Sequence, residues 1–298
     1  MAQIQTTSVS VHRARRRART AKTLRKLVYH FFVCLFAFVM VYPLLWMVMS
    51  SFKPTNTIFQ TVEQLIPAQF TTENYVNGWK GFSKITFGTF FKNSAVIACV
   101  GTVGATLSSA LVGYGLSRFR FRGRNILFAC VLVGMMLPAQ ILMIPQYLWF
   151  QKLNWTGTLA PLLVPPFFAT QGFFVYLMMN FISGLPRDLD QAVRIDGCSY
   201  YSVFTRIILP LLVPAIVTVV IFSFIWKWDD YLGPLIYINK ARSFPASIAL
   251  KVFCDPSTSS DYGAMFAMSG LSLLPIFTIF LFFQKYLTEG ISTSGLKG

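Results

Sequence analysis

Residues 183–214 read SGLPRDLDQAVRIDGCSYYSVFTRIILPLLVP. Pro186 stops whatever helix precedes it, because it lacks an N–H and its ring clashes with the preceding turn. Asp188 suits a helix N-cap, and Asp190 falls in the first turn, where the helix dipole favours an acid. Leu189, Ala192, Val193 and Asp196 stand at i, i+3, i+4 and i+7 and share one face. Gly197 is placed to end the helix in the left-handed conformation. The stretch predicts a short amphipathic helix, with apolar runs of span length on both sides. Such a helix either presents a small knob to a partner or rests on lipid headgroups.

Outward from it, six segments are apolar enough over about 20 residues to cross a hydrocarbon core of about 30 Å. They lie near 27–52, 91–116, 125–150, 159–182, 207–228 and 265–286. Long apolar runs predict helices; a membrane barrel would show short alternating segments. Composition agrees. Of the 298 residues, 55% are apolar and 12% charged, about half the charge of soluble domains. That excludes a soluble enzyme, and the apolar content excludes disorder. The expected class is an all-α polytopic membrane protein with six transmembrane helices.

The formal net charge of +16 suits either nucleic acid or the inner face of a membrane. Its distribution favours the membrane. Residues 1–26 carry eight basic residues and no acid, with RARRRAR at 13–19, and the first span follows at once. The apolar run is too long for a signal-peptide h-region. With the N-terminus inside, segments 1–26, 117–124, 183–206 and the tail from Lys285 hold 17 of the 26 Lys and Arg. The positive-inside rule then places both termini in the cytoplasm and loops 53–90 and 229–262 outside. The expected organisation is a basic arm at 1–26, a permease domain at 27–288 and a tail at 289–298.

Little chemistry is written into the spans. His30, Lys92, Lys227, Asp229 and Asp230 stand at span ends, where long basic side chains can reach the interface. Buried acids for a proton relay or sodium site are missing from the pattern. The five cysteines form no CxxC or zinc spacing, so free and mostly buried thiols are expected, and two histidines make no metal cluster. Prolines at 43, 138, 145, 161, 165, 166, 210, 214 and 275 predict kinked or broken helices. Gly101, Gly104, Ala105, Ser108, Ser109 and Gly113 predict a face for close helix packing. Trp46, Trp149 and Trp228 read as interfacial anchors.

The 183–214 stretch resembles the EAA loop of bacterial ABC importer permeases, a pattern E-A-A-x-x-x-G followed by an apolar run ending in L-P. Here it stands as Gln191-Ala192-Val193-Arg194-Ile195-Asp196-Gly197, then Leu209-Pro210. Ser51-Phe52-Lys53-Pro54, Met136-Leu137-Pro138 through Ile144-Pro145, and Trp228-Asp229-Asp230 with Pro234-Leu235 are similar to further family motifs. The tail from Gln284-Lys285-Tyr286 to Gly295-Leu296-Lys297-Gly298 resembles the carbohydrate-uptake branch, in particular its maltose-type second permease subunit. Motifs in this order along six spans make the resemblance specific. Two positions depart from it: Gln191 replaces the usual glutamate and Val193 the second alanine. Gln191 keeps a hydrogen bond but loses the charge-assisted part, and Asp188 or Asp190 can be imagined supplying the charge.

The resemblance implies a type I ABC importer permease fold and a transport subunit, not an enzyme. Asp188, Asp190, Gln191, Ala192, Val193, Asp196 and Gly197 would couple to an ATP-binding subunit dimer, with Gly295, Lys297 and Gly298 touching the same ATPase. Asp255, Pro256, Ser257, Thr258, Ser259, Ser260 and Asp261 would meet an extracytoplasmic solute-binding protein; their turn-forming character suits a protruding loop or an ordinary flexible one. A second permease subunit and a carbohydrate complete the expected partners. Trp226, Tyr231 and Phe174 are candidates for stacking on sugar rings, with packing or an interfacial position as the plainer reading of each. No cofactor is expected on this chain; ATP and Mg²⁺ would belong to the ATPase, since GISTSGLK at 290–297 lacks a phosphate loop's glycine–lysine junction and a preceding strand. The alternative class is an ion-coupled secondary transporter working without an ATPase. A membrane-embedded enzyme lacks converging paired carboxylates or a Ser/His/Asp set, and nucleic-acid binding by the arm would have to be strongly salt-dependent.

Overall fold

The computed structural model describes the backbone of residues 2–188, 190, 197, 199–254 and 260–295, with side chains between residues 22 and 286 of those segments. The basic arm and the first apolar run form one helix, α1 (Ala2–Ser50). A short helix, α2 (Glu73–Lys80), sits in the loop that follows. Then comes α3 (Phe87–Arg118), 32 residues and about 48 Å at 1.5 Å per residue. The remaining membrane segments are α4 (Arg124–Met136), α5 (Ala139–Lys152), α6 (Ala160–Leu163), α7 (Gly172–Ser183), α8 (Tyr200–Leu211) and α9 (Val213–Trp228). Short helices α10 (Leu232–Tyr237) and α11 (Ala246–Val252) precede the last long one, α12 (Tyr262–Gly295).

Six membrane crossings result if each bent helix pair is one span, and two of the six are broken at prolines, the kind of break the proline pattern predicts. The third breaks between α4 and α5 with a bend of 109°. Pro138 forbids the helical conformation to the residue before it, and Leu137 is extended, at φ −77° and ψ 126°. The fifth bends by 74° between α8 and α9, where Pro210 and Pro214 flank Leu212 and a π-helical turn covers Phe204–Ile208. In the fourth, a 3₁₀ turn at Pro165–Phe168 separates α6 from α7, and Ala169 adopts φ +53°. Carbonyls at and beside these breaks accept hydroxyl donors: Ser108 donates to Pro166 O at 2.7 Å, Thr170 to Pro165 O at 3.0 Å and Thr218 to Pro214 O at 2.9 Å. Lipid could not supply those donors.

α3 is the axis of the bundle. Its small-residue face packs inside the subunit: a Cβ on Gly104 would meet the Phe167 ring at 2.6 Å, and one on Gly113 the Met178 Cβ at 2.8 Å. Lipid tails are as apolar as leucine, so this close approach, not water exclusion, holds α3 to α7. The main core joins Ala105, Ala110 and Tyr114 of α3 to Phe174, Met178 and Ile182 of α7 and to Val203, Ile208 and Val219. By contrast, the most apolar stretch of α1 buries nothing in this chain. Near its end it meets α12 through the edge-on pair Trp46–Phe266, with ring centroids 5.5 Å apart.

Two expectations are corrected. Trp228 is no interfacial anchor: it is buried, stacks on Phe224 and donates through Nε1 to Ser272 O at 3.0 Å. The cysteines are free among the described residues, but Cys34, Cys99 and Cys130 lie on outward faces of the chain and Cys254 is half-buried.

Candidate functional site

One end of the bundle carries the loop from Gly184 to Ser199. Its first turn begins at Arg187, whose carbonyl accepts the Asp190 N–H at 3.0 Å, one residue before the cap expected at Asp188. Arg118, the last residue of α3, turns inward onto this turn. Its Nε lies 3.0 Å from Asp190 Oδ2, and Nη2 donates to Leu185 O at 3.1 Å. The side chain is 5% exposed, whereas Arg120 and Arg187 are exposed. A cation there also faces the negative end of α3. Asp190 is therefore committed within the chain and is not the free replacement for a missing glutamate charge; Asp188 remains exposed.

The far side of the loop is tied as well. Ser199 caps α8 by accepting the Ser202 N–H at 3.3 Å, and the Tyr114 hydroxyl donates to Tyr200 O at 3.3 Å. Gly197 has φ +78°, with open space around the position a Cβ would take. It is needed for its backbone conformation, not for room. Gln191, Ala192, Val193 and Asp196 lie outside the described residues.

The other end of the bundle is organised by the segment after α1. Lys53, 2% exposed, donates to Thr61 O at 2.8 Å and Gln64 O at 2.6 Å. Asn74 of α2 donates to Ser51 O and Lys53 O at 2.8 and 2.7 Å. The loop between α11 and α12 is pinched at its base, where the Asp261 N–H donates to Phe253 O at 3.0 Å. Asp261 Oδ1 accepts from Thr55 Oγ1 at 3.0 Å and from the Ala264 N–H at 2.9 Å. Within the chain, Asp261 thus caps α12, and Ser260 beside it is half-buried. Positions 255–259 lie outside the described residues, as do Lys297 and Gly298; Gly295 ends α12.

Beyond α9, Asp230 Oδ1 accepts the Gly233 N–H at 3.0 Å, and Ser247 donates to Asp230 O at 2.7 Å. Burial pushes the Asp230 carboxyl above the ordinary carboxylate range, against the opposing pull of that N–H and of Lys227. Of the proposed sugar-stacking residues, Phe174 is fully buried in this conformation. It stacks on Trp226 with centroids 5.2 Å apart, and Trp226 stays 47% exposed. Tyr231 is half-buried.

The residue that pattern reasoning missed is Arg118. It counted there as one of four arginines setting topology. Nothing in RFRFRGR says which of them folds inward.

The sequence profile described as "Binding-protein-dependent transport system inner membrane component" matches residues 105–293. The chain is 33% identical over 264 residues to the arabinooligosaccharides transport system permease protein of Halalkalibacterium halodurans, covering 88% of this chain and 93% of that one. It is 32% identical over 266 residues to the trehalose/maltose transport system permease protein of Thermococcus litoralis, covering 89% and 94%. The diacetylchitobiose uptake system permease protein of Streptomyces coelicolor is 26% identical over 264 residues, covering 88% and 86%. Among solved structures, a chain of a bacterial ABC transporter involved in the import of the acidic polysaccharide alginate superposes with a TM-score of 0.78 over 90% of this chain and 98% of that one; at 20% identity this similarity speaks to the fold.

Proposed function

The chain belongs to the family of binding-protein-dependent transport system inner membrane components, and from that premise we propose that it is the transmembrane permease subunit of an ABC importer for a carbohydrate. The named relatives handle arabinooligosaccharides, trehalose or maltose, and diacetylchitobiose, so an oligosaccharide or disaccharide is the substrate class. ATP and Mg²⁺ belong to a separate ATPase dimer, a second permease completes the membrane pair, and a solute-binding protein delivers the sugar. Segments 1–26, 117–124, 183–206 and the tail at 289–298 face the cytoplasm, and 53–90 and 229–262 face outward.

The observation that carries this reading is the loop at 184–199: an exposed Asp188 and a left-handed Gly197, held against the end of α3 by Arg118. Its described ends are fixed to the membrane bundle, as a docking element requires. Asp188, Gln191, Ala192, Val193, Asp196 and Gly197 dock on the ATPase, with the tail residues Gly295, Lys297 and Gly298 beside them, while Asp190 faces Arg118 and acts from within the chain. Closure of the ATPase dimer on ATP shifts the loop and biases the bundle between inward- and outward-facing states. The loop from 255 to 261 meets the binding protein.

The test is co-purification with the candidate ATPase, second permease and binding protein, followed by reconstitution and a panel of arabinotriose, maltose, trehalose and diacetylchitobiose. One sugar-loaded binding protein should raise ATP hydrolysis. Gly197→Asp, which forces a side chain into φ +78°, should abolish assembly or that stimulation. A chain that purifies alone and moves sugar without ATP would sink the proposal.

A further inference from the structure

We propose that Arg118 is the positioning residue that converts movement of the 184–199 loop into movement of α3, and that α3 acts as a rod carrying it to the opposite end of the bundle. This role presupposes that the loop docks on an ATPase, as above, and adds the side chain through which docking is felt.

Both ends of α3 are clamped by directional contacts. At its C-terminal end, Arg118 grips the first turn of the loop at two points, the Asp190 carboxylate at 3.0 Å and the Leu185 carbonyl at 3.1 Å. At the start of the helix, Asn93 Nδ2 donates to Arg242 O at 2.9 Å and Phe244 O at 3.0 Å. One residue on, Ser94 Oγ accepts the Ala246 N–H at 2.9 Å. Phe87 and Phe90 pack there on Ala246 and Ala249 of α11.

Apolar contacts slide past one another, but a close ion pair to the Asp190 carboxylate, joined by the Nη2 hydrogen bond to Leu185 O, resists both pull and rotation. The pair is nearly shielded from water, with side-chain exposures of 5% and 19%, which strengthens it relative to a surface pair. Between the clamps, α3 has no interior proline, and its close approach to α7 at Gly113 leaves no slack. Packed interfaces of this kind switch between discrete arrangements and do not deform continuously. Displacement at Asp190 is therefore passed to residues 242–246 without an intervening loop.

Contiguity alone is not coupling, so the test measures coupling. The complete complex in nanodiscs is trapped with MgATP and vanadate, and amide hydrogen exchange is followed over residues 242–252 with and without trapping. In the wild type, trapping should change exchange there. Arg118→Gln and Asp190→Asn should keep the ATPase bound and trap vanadate to the same extent, yet lose the change. The charge swap Arg118→Asp with Asp190→Arg should restore it; a residue that only stabilised the fold would show no such rescue. The role of Arg118 is overturned if the change persists in the single variants, if the swap does not restore it, or if the single variants shed the ATPase. No change in the wild type would overturn the rod. An ATPase that fails to bind even the wild-type complex would instead tell against the docking loop itself.

Discussion

Thr55 and Asp261 meet across 206 residues of chain: the threonine hydroxyl donates to Asp261 Oδ1 at 3.0 Å, while the same oxygen caps α12 through the Ala264 N–H at 2.9 Å. The contact ties the segment after the first span to the start of the last one. Asp261→Ala removes both hydrogen bonds and should cost about 1–2 kcal/mol, the usual price of a lost N-cap. Asp261→Asn keeps an acceptor and should cost less. Thermal unfolding of the detergent-solubilised chain measures both. An alanine variant that melts like the wild type while losing stimulation by the binding protein would assign Asp261 to the partner surface instead of the cap.

Gly113 and Gly115 separate close packing from helix propensity. A Cβ at Gly113 would lie 2.8 Å from Met178 Cβ and 3.0 Å from Met179 N, whereas one at Gly115 would have nothing within 4 Å. Gly113→Val should destabilise by about 1–3 kcal/mol through overpacking, with loss of folded protein on size-exclusion chromatography. Gly115→Ala should be neutral or slightly stabilising, since alanine favours a helix interior over glycine. Equal behaviour of the two would mean that the α3–α7 approach does not limit stability.

Asp230 sets a pH dependence. Burial raises its folded-state carboxyl above the unfolded value, as it does for Asp229. A raised acid is penalised when charged. Its contribution to stability is therefore fully present below the unfolded value, about 3.9, and is lost as pH rises through the folded one. The melting temperature should fall over that interval. Asp230→Asn, which keeps an oxygen for the Gly233 N–H, should flatten the fall. A slope unchanged in the asparagine variant would place the titration elsewhere.

These cases show what the amino-acid pattern carried and what it did not. The spans were legible because an apolar run of about 20 residues has one use. The prolines marked where spans break, but not by how much: the 109° and 74° bends depend on which neighbours accept the freed backbone groups. The left-handed conformation at Gly197 was legible from the residue type and its place after an amphipathic face. The inward turn of Arg118 and the burial of Lys53 were not. Charge alone places both at a membrane surface, and only the tertiary carbonyls of Leu185, Thr61 and Gln64 make burial affordable. Trp228 misled for the same reason, since its partner Ser272 lies on another helix.

The first span gives the most direct test of the second permease. Its apolar stretch within Lys22–Ser50 buries nothing in this chain, and Phe36 is 64% exposed while Phe90 is fully buried. In a transporter with two permease subunits, such a helix has one protein surface left to cover it, that of the partner. A photo-crosslinking benzoylphenylalanine at Phe36 should capture the second permease in membranes, and one at Phe59, 56% exposed in the segment after α1 and packed edge-on against Tyr262, should not. Capture at both positions would indicate nonspecific proximity. Capture at neither, with the pair still co-purifying, would mean that α1 faces lipid and that the subunits meet through other helices.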